Sequence, residues 1–131
     1  KNFDINDSYK LVNDRLKTII FTDKAIKNPS FKNGNANNTE IVQLNFSENL
    51  IEQIVNYLYE NAISSVFVEG GAYTIEAFIS ENYWDEARVF VGNKFFYEGV
   101  KAPDFPKINP KYFDFEETRF YFSRKIDIYC E

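Results

Sequence analysis

The sequence predicts an α/β domain of three layers, with a mainly parallel sheet between helices and an antiparallel hairpin at its C-terminal end. Three observations predict it. Strand-like and helix-like segments alternate between Thr18 and Val91, and such an order builds right-handed crossovers on a parallel sheet. Ser65-Val66-Phe67-Val68 is apolar without alternation, the pattern of a strand covered on both faces. A glycine pair, Gly70-Gly71, separates that run from a helix-like stretch, as a strand-to-helix turn requires.

Taken in order, Lys1 to Arg15 is polar with isolated apolar residues that fit no period, so it reads as a leader with at most a short helical turn. Thr18-Ile19-Ile20-Phe21-Thr22 is a β-branched and aromatic run between charged residues, which suits a buried strand. Lys24 to Thr39 is rich in Asn, Lys, Gly and Pro and reads as an exposed connection. Glu40 to Leu44 follows as a second short strand. Asn45 then reads as an N-cap with Glu48 three residues on. Leu50, Ile51, Ile54, Val55 and Leu58 recur at helical spacing while Glu52, Asn56 and Glu60 face away, giving one amphipathic helix. A second helix is predicted from about Ala72 to Ser80, with Ala72, Ile75, Phe78 and Ile79 inward. Ala87 to Val91 supplies a further strand. Asn93 to Pro110 carries three of the 4 prolines and reads as a loop. Thr118–Phe122 and Ile126–Tyr129 are expected to pair as a hairpin turning near Ser123 to Lys125.

Composition bounds the function. The 131 residues are 44% hydrophobic and 18% aromatic, enough for one core in one domain. A formal net charge of -5 with scattered lysines disfavours nucleic acid, which needs a basic stripe. The absence of histidine removes the commonest general base and zinc ligand together, so no metal site is expected. With Cys130 the single cysteine, no disulfide forms within the chain and a reducing, cytoplasmic setting is expected. No run approaches the roughly 20 apolar residues that cross a bilayer. The chain begins at Lys1 and holds no methionine, which marks it as processed or as a piece of a longer protein.

The strongest chemical signal is Glu69-Gly70-Gly71. Two glycines remove the Cβ atoms that would keep a pyrophosphate away, and the first-turn amides of the following helix lack helical partners and face its positive dipole end. Tyr73 and Thr74 add hydroxyls there. A bare glycine pair is also what a plain strand-to-helix turn uses. Glu69, at the end of the predicted strand, lies where ligands enter open α/β sheets, and it either hydrogen-bonds donors of a polar substrate or pairs with a nearby cation. The aromatic segments Phe95-Phe96-Tyr97, Phe113, Phe115 and Phe120-Tyr121-Phe122 read as core and interface packing rather than a base-stacking platform. Asp85-Glu86 and Glu116-Glu117 read as solvated surface, because neighbours in a strand point to opposite faces.

Ser65 to Ala72, Phe78-Ile79, Trp84-Asp85-Glu86-Ala87-Arg88-Val89-Phe90-Val91-Gly92, Gly99-Val100-Lys101-Ala102-Pro103 and Lys17-Thr18-Ile19-Ile20-Phe21-Thr22 together resemble the reductase domain of the bifunctional riboflavin biosynthesis deaminase-reductase family. The resemblance implies a dihydrofolate-reductase-like fold and NADPH as hydride donor. It implies as substrate a phosphoribosylaminopyrimidine, 5-amino-6-(5-phosphoribosylamino)uracil, whose ribose becomes ribityl. By motif position it implies that Glu69 contacts substrate. Gly70, Gly71, Ala72, Tyr73, Thr74, Ile75, Glu76 and Ala77 line the cofactor site, with Thr22 a further cofactor contact; no catalytic side chain is assigned. It implies a homodimer and a deaminase domain earlier in the parent chain. The zinc motifs of that deaminase, H-x-E and P-C-x-x-C, are absent, and nothing before Lys17 resembles the opening strands of the reductase. The expected unit is thus the C-terminal part of a reductase domain, truncated at its N-terminus. Two other readings stay open: a non-catalytic dimerisation or nucleotide-binding module, and a related reductase acting on another pyrimidine or a pterin.

Overall fold

The computed structural model describes residues 16–23, 38–95, 97–104 and 111–125. The chain forms two compact units, Lys1–Ser64 and Ser65–Glu131, and among the described residues it is a mixed α/β structure with one sheet of two strands and one of three.

In the first unit, β1 (Thr18–Thr22) and β2 (Thr39–Gln43) pair in parallel from Thr18 opposite Thr39 to Thr22 opposite Gln43. The parallel pairing expected for these two runs is present. Helix α1 (Leu50–Glu60) follows. Its Ile51 is buried, Leu50, Ile54, Val55 and Leu58 are half-buried, and Glu52, Asn56 and Glu60 are exposed, the division that the helical spacing predicts. Leu44 and Ile51 are the buried apolar residues of this unit among the described residues. Tyr57 fastens α1 to both strands: its hydroxyl donates to Glu40 Oε1 of β2 at 2.5 Å, and its ring stands edge-on to Phe21 of β1 at 5.4 Å.

The helix begins four residues later than predicted. Asn49 is the N-cap, its side chain accepting from the Glu52 amide at 3.1 Å. Asn45 caps the preceding turn instead, where its Oδ1 accepts from the Ser47 amide and its Nδ2 donates to Glu48 Oε1. Two Asn residues four apart offer the same local chemistry, and only the course of the turn separates them.

The hydrogen bond from Tyr57, joined by the Lys17 ammonium 2.9 Å away, holds the Glu40 carboxyl below its ordinary range. Glu40 in turn pushes the Tyr57 phenol up to about 12. The depressed carboxyl contributes stability above its unfolded value that is lost as pH falls through the folded one. The raised phenol contributes stability that is complete below its ordinary value of 10.0 and lost as pH rises towards 12. Tyr57→Phe is therefore expected to lower the melting temperature most between about pH 6 and 9, with the gap to wild type closing by pH 12. Thermal melts across that range measure it, and a gap that persists at pH 12 contradicts it.

In the second unit, α2 (Ala72–Ser80) is followed by β3 (Glu86–Gly92), β4 (Lys111–Phe115) and β5 (Thr118–Arg124). The sheet order is β3-β5-β4 and both pairings are antiparallel. Helix α2 has the predicted bounds, with Ala72, Ile75, Phe78 and Ile79 half-buried. The sheet corrects three expectations. Ser65 to Val68 is not a buried strand: no ladder forms along it among the described residues, and Val66 and Phe67 are 53% and 70% exposed. Its composition favours extended backbone, but pairing needs a partner that local sequence does not specify. The sheet is therefore not mainly parallel, since β3 pairs antiparallel with β5.

The third correction concerns the hairpin, which joins β4 to β5 rather than Thr118–Phe122 to a later strand. Its turn is Glu116-Glu117. β5 runs straight through Ser123 to Arg124, and Ile126–Tyr129 lies outside the described residues. Glu116 takes φ 50, a conformation that tight hairpin turns usually give to Gly or Asn, so the turn carries none of its usual signals. The hairpin is stapled instead by Arg119, which donates two bonds to its cross-strand partner Asp114 at 2.6 and 3.1 Å and lies over the Tyr112 ring.

The aromatic expectation is met only within the sheet. Phe120 packs on Phe90 at 4.7 Å and on Phe113 at 6.5 Å. Phe90, Phe95, Tyr97, Phe113 and Phe115 are exposed rather than in a core; cross-strand pairing brings rings together on one face without covering that face. Asp85 and Glu86 are solvated as expected, with Glu86 between Arg88 and Arg124. No helix is long and apolar enough to cross a membrane among the described residues, and no metal-binding group forms among them. Cys130 lies outside them.

Both helices end alike. Ala62 and Asn82 adopt φ 57 and 62, while the Ile63 and Tyr83 amides reach back to the Leu58 and Phe78 carbonyls at 2.9 Å each, the six-to-one bond of a Schellman ending. Left-handed backbone costs a residue with a Cβ about 1 to 2 kcal/mol. Ala62→Gly and Glu116→Gly are each expected to stabilise the protein by about 0.5 to 1 kcal/mol, read as a rise in melting temperature; a fall in either variant contradicts the backbone assignment.

Candidate functional site

The glycine turn sits at the start of the second unit and leads into α2. Gly71 is the helix N-cap, with φ -64 and ψ 163 and no side-chain cap. Its carbonyl accepts from the Thr74 amide at 3.1 Å and the Ile75 amide at 3.4 Å. The amides of Ala72 and Tyr73 have no carbonyl behind them, as in any first turn. They lie at the positive end of the helix dipole.

The two glycines are there for different reasons. A Cβ on Gly70 would lie 3.2 Å from Thr74 Cβ, so this residue lets the backbone pass close to the first turn of α2. A Cβ on Gly71 would meet nothing within 4 Å, and its backbone angles are open to any residue. Neither packing nor conformation requires glycine at 71. Its bareness keeps the first-turn amides accessible, which is what an anionic group needs in order to approach them.

Around this turn, Tyr73 is 86% exposed and Thr74 and Glu76 are exposed, while Ala72, Ile75 and Ala77 are half-buried. Gly70, Gly71, Tyr73 and Thr74 thus share one exposed helix end. Ile75 and Ala77 support the helix from its packed side, and Glu76 lies further along. Lys101 pairs with Asp104 at 2.7 Å, and that carboxylate, with a smaller contribution from Glu76, holds its ammonium above the ordinary range. Glu69 is exposed and has no hydrogen bond or ion pair among the described residues, which leaves it available to a ligand. It lies on irregular backbone rather than at the end of a paired strand, as the correction to Ser65–Val68 implies.

Thr22 ends β1 in the first unit, where its carbonyl accepts from the Leu44 amide at 2.8 Å. Beside it, Asp23, Gln43, Leu44 and Asn45 line an open recess of about 360 Å³. Sequence reasoning picked Thr22 and missed these four. The signal was present: the C-terminal ends of parallel strands are the ligand-facing edge of an α/β sheet, and both strands were recognised.

The family model described as the RibD C-terminal domain matches residues 1–105. Searches of the curated proteins and of the solved structures found no match. The chain belongs to the RibD C-terminal domain family, a family of riboflavin-biosynthesis reductases that typically use a nicotinamide cofactor.

Proposed function

From that membership we propose that the chain serves the pyrimidine-reductase step of riboflavin biosynthesis, the reduction of 5-amino-6-(5-phosphoribosylamino)uracil to its ribitylamino product. The hydride donor is a reduced nicotinamide dinucleotide, NADPH by the family resemblance. The α/β elements belong to a dihydrofolate-reductase-like domain working as a cytoplasmic homodimer in the C-terminal part of a longer reductase.

The observation that carries this reading is the bare, uncapped start of α2 at Gly71. The residues there fit a dinucleotide: amides at a helix N-terminus accept a diphosphate without any cationic side chain. The amides of Ala72 and Tyr73 would hold the diphosphate, and the Tyr73 and Thr74 hydroxyls would flank it. Glu69 would accept hydrogen bonds from substrate donors and so orient the ribose. The bound nicotinamide supplies the hydride, which leaves the protein the task of positioning. That task is compatible with a chain that has no histidine.

Oxidation of NADPH by this chain in the presence of the ribosylamino substrate, followed at 340 nm, tests the proposal. Steady turnover supports it. Dinucleotide binding without turnover is the result expected of a non-catalytic nucleotide-binding module, and turnover with a pterin in place of the ribosylaminopyrimidine would move the substrate assignment.

A further inference from the structure

The three-stranded sheet of the second unit carries an exposed aromatic face. Register sets Phe90, Phe120 and Phe113 in one row across β3, β5 and β4. Their rings share one side of the sheet, Phe120 standing 4.7 Å from Phe90 and 6.5 Å from Phe113. Phe122, 6.5 Å from Phe120, extends that side towards one end of the sheet, and Phe115, two residues on from Phe113, extends it towards the other. Phe90, Phe113 and Phe115 are 70%, 61% and 72% exposed. An aromatic side chain presents about 150 to 250 Å², so these three leave about 300 to 500 Å² open. That equals the largest patch of an ordinary monomer, a size that marks an interaction surface.

Charge differs in sign between the two ends of this face. Lys111 lies in the row of Phe122, opposite Arg88 across β5, and Arg124 lies one row beyond. Arg88 and Arg124 share one carboxylate, Glu86, while Lys111 is exposed and has no ion pair among the described residues. At the other end the Glu116-Glu117 turn carries two exposed carboxylates, also unpaired there. Stacking two copies about a two-fold axis along the Phe90, Phe120 and Phe113 row exchanges the ends. Lys111 of each copy then comes over the Glu116-Glu117 turn of the other. Lys94, exposed just past β3 at the end of that turn, comes over Glu86. An axis parallel to the strands would instead set Lys111 over Arg88, like charge on like.

We infer that this aromatic face is where two copies of the chain associate, face to face with their strand ends exchanged. The occupant is a second copy because the face complements itself: apolar along its centre and opposite in charge at its ends, as an isologous contact requires. Three strands of 5 to 7 residues cover only about 14 by 20 Å, small beside the roughly 800 Å² per partner of a stable interface. The dimer is therefore weak, with a Kd in the micromolar range. This face is then the interface of the homodimer proposed above, on which it rests; the reductase step stands independently of it.

Sedimentation velocity of the full chain over about 1 to 300 μM tests it. Wild type is expected to pass from mostly monomer to mostly dimer across that range. Phe113→Ser, at an exposed position where circular dichroism should show the wild-type fold, is expected to raise the Kd about 30-fold or more. Lys111→Glu and Glu117→Lys are each expected to raise it about fivefold. An equimolar mixture of these two variants is expected to associate as wild type does, because each altered charge meets its opposite in both halves of the contact. A monomer at every concentration overturns the inference. So does a dimer that Phe113→Ser leaves intact, which would put the contact on a strand edge, and so does a mixture that associates no better than either variant alone. Hydride transfer is read separately: a monomer that oxidises NADPH with the ribosylamino substrate keeps the reductase reading and loses this interface, and a dimer without turnover does the reverse.

Discussion

Gly71→Asp is expected to hold or slightly raise the stability of the protein while removing most of its affinity for a nicotinamide dinucleotide. The two effects separate because Gly71 is constrained by neither backbone nor packing: φ is -64, and nothing lies within 4 Å of a Cβ built there. Asp is among the preferred N-cap residues and gains a few tenths of a kcal/mol over Gly at that position. The new carboxylate would sit beside the Ala72 and Tyr73 amides and compete with a diphosphate for them. Two like charges about 4 Å apart at a protein surface repel by roughly 1 to 4 kcal/mol, which corresponds to a loss of about five-fold to several hundred-fold in affinity. Gly71→Ala is the neutral control. Ala is a poorer cap, so it is expected to lower stability by about 0.5 to 1 kcal/mol and to weaken binding less than Asp does. Calorimetric titration with NADH and NADPH, beside thermal melts, reads both quantities. Wild-type affinity in Gly71→Asp would remove this helix start from the site, whereas weaker binding accompanied by a lower melting temperature would reduce the effect to a structural one.

Ile51→Ala is expected to destabilise the first unit by about 2 to 4 kcal/mol. Leu44 and Ile51 are its buried apolar side chains among the described residues, so the truncation opens a cavity where few other contacts can close it. A loss of that size is a large fraction of the 5 to 15 kcal/mol that holds a typical domain together. Amide hydrogen exchange along α1, β1 and β2 measures it, with protection expected to fall by about 30-fold to 1,000-fold. Ile54→Ala, at a half-buried position of the same helix, is expected to cost about half as much, because less transfer free energy and less cavity are at stake. Equal losses in the two variants, or unchanged protection in Ile51→Ala, would mean that Ile51 is not the anchor of this unit.

Much of the local structure around the candidate site was legible in the residues. Gly70-Gly71 before a helical period predicts an open helix start, and α2 begins at Ala72. What the residues left unsaid is that the two glycines differ. Only the position of Thr74, 3.2 Å from a Cβ on Gly70, shows one as a packing requirement and the other as an accessible edge. The recess beside Thr22 was half visible. Both strands were recognised, but that Asp23, Gln43, Leu44 and Asn45 come together around a recess at their ends is a matter of three-dimensional arrangement.

By itself the sequence determined the local elements of this protein: β1 and β2, the amphipathic face of α1, the bounds of α2, and the run that became β3. These follow from side-chain periodicity, branching and capping, which act over a few residues. Tertiary structure alone decided which strands pair. Ser65 to Val68 has the composition of a buried strand and no ladder among the described residues. The β4 and β5 hairpin closes through Glu116-Glu117, with Glu116 in a backbone conformation its side chain disfavours. The reason is physical: apolar composition sets how favourable burial would be, whereas a ladder needs a partner's backbone groups, and those come from residues far along the chain.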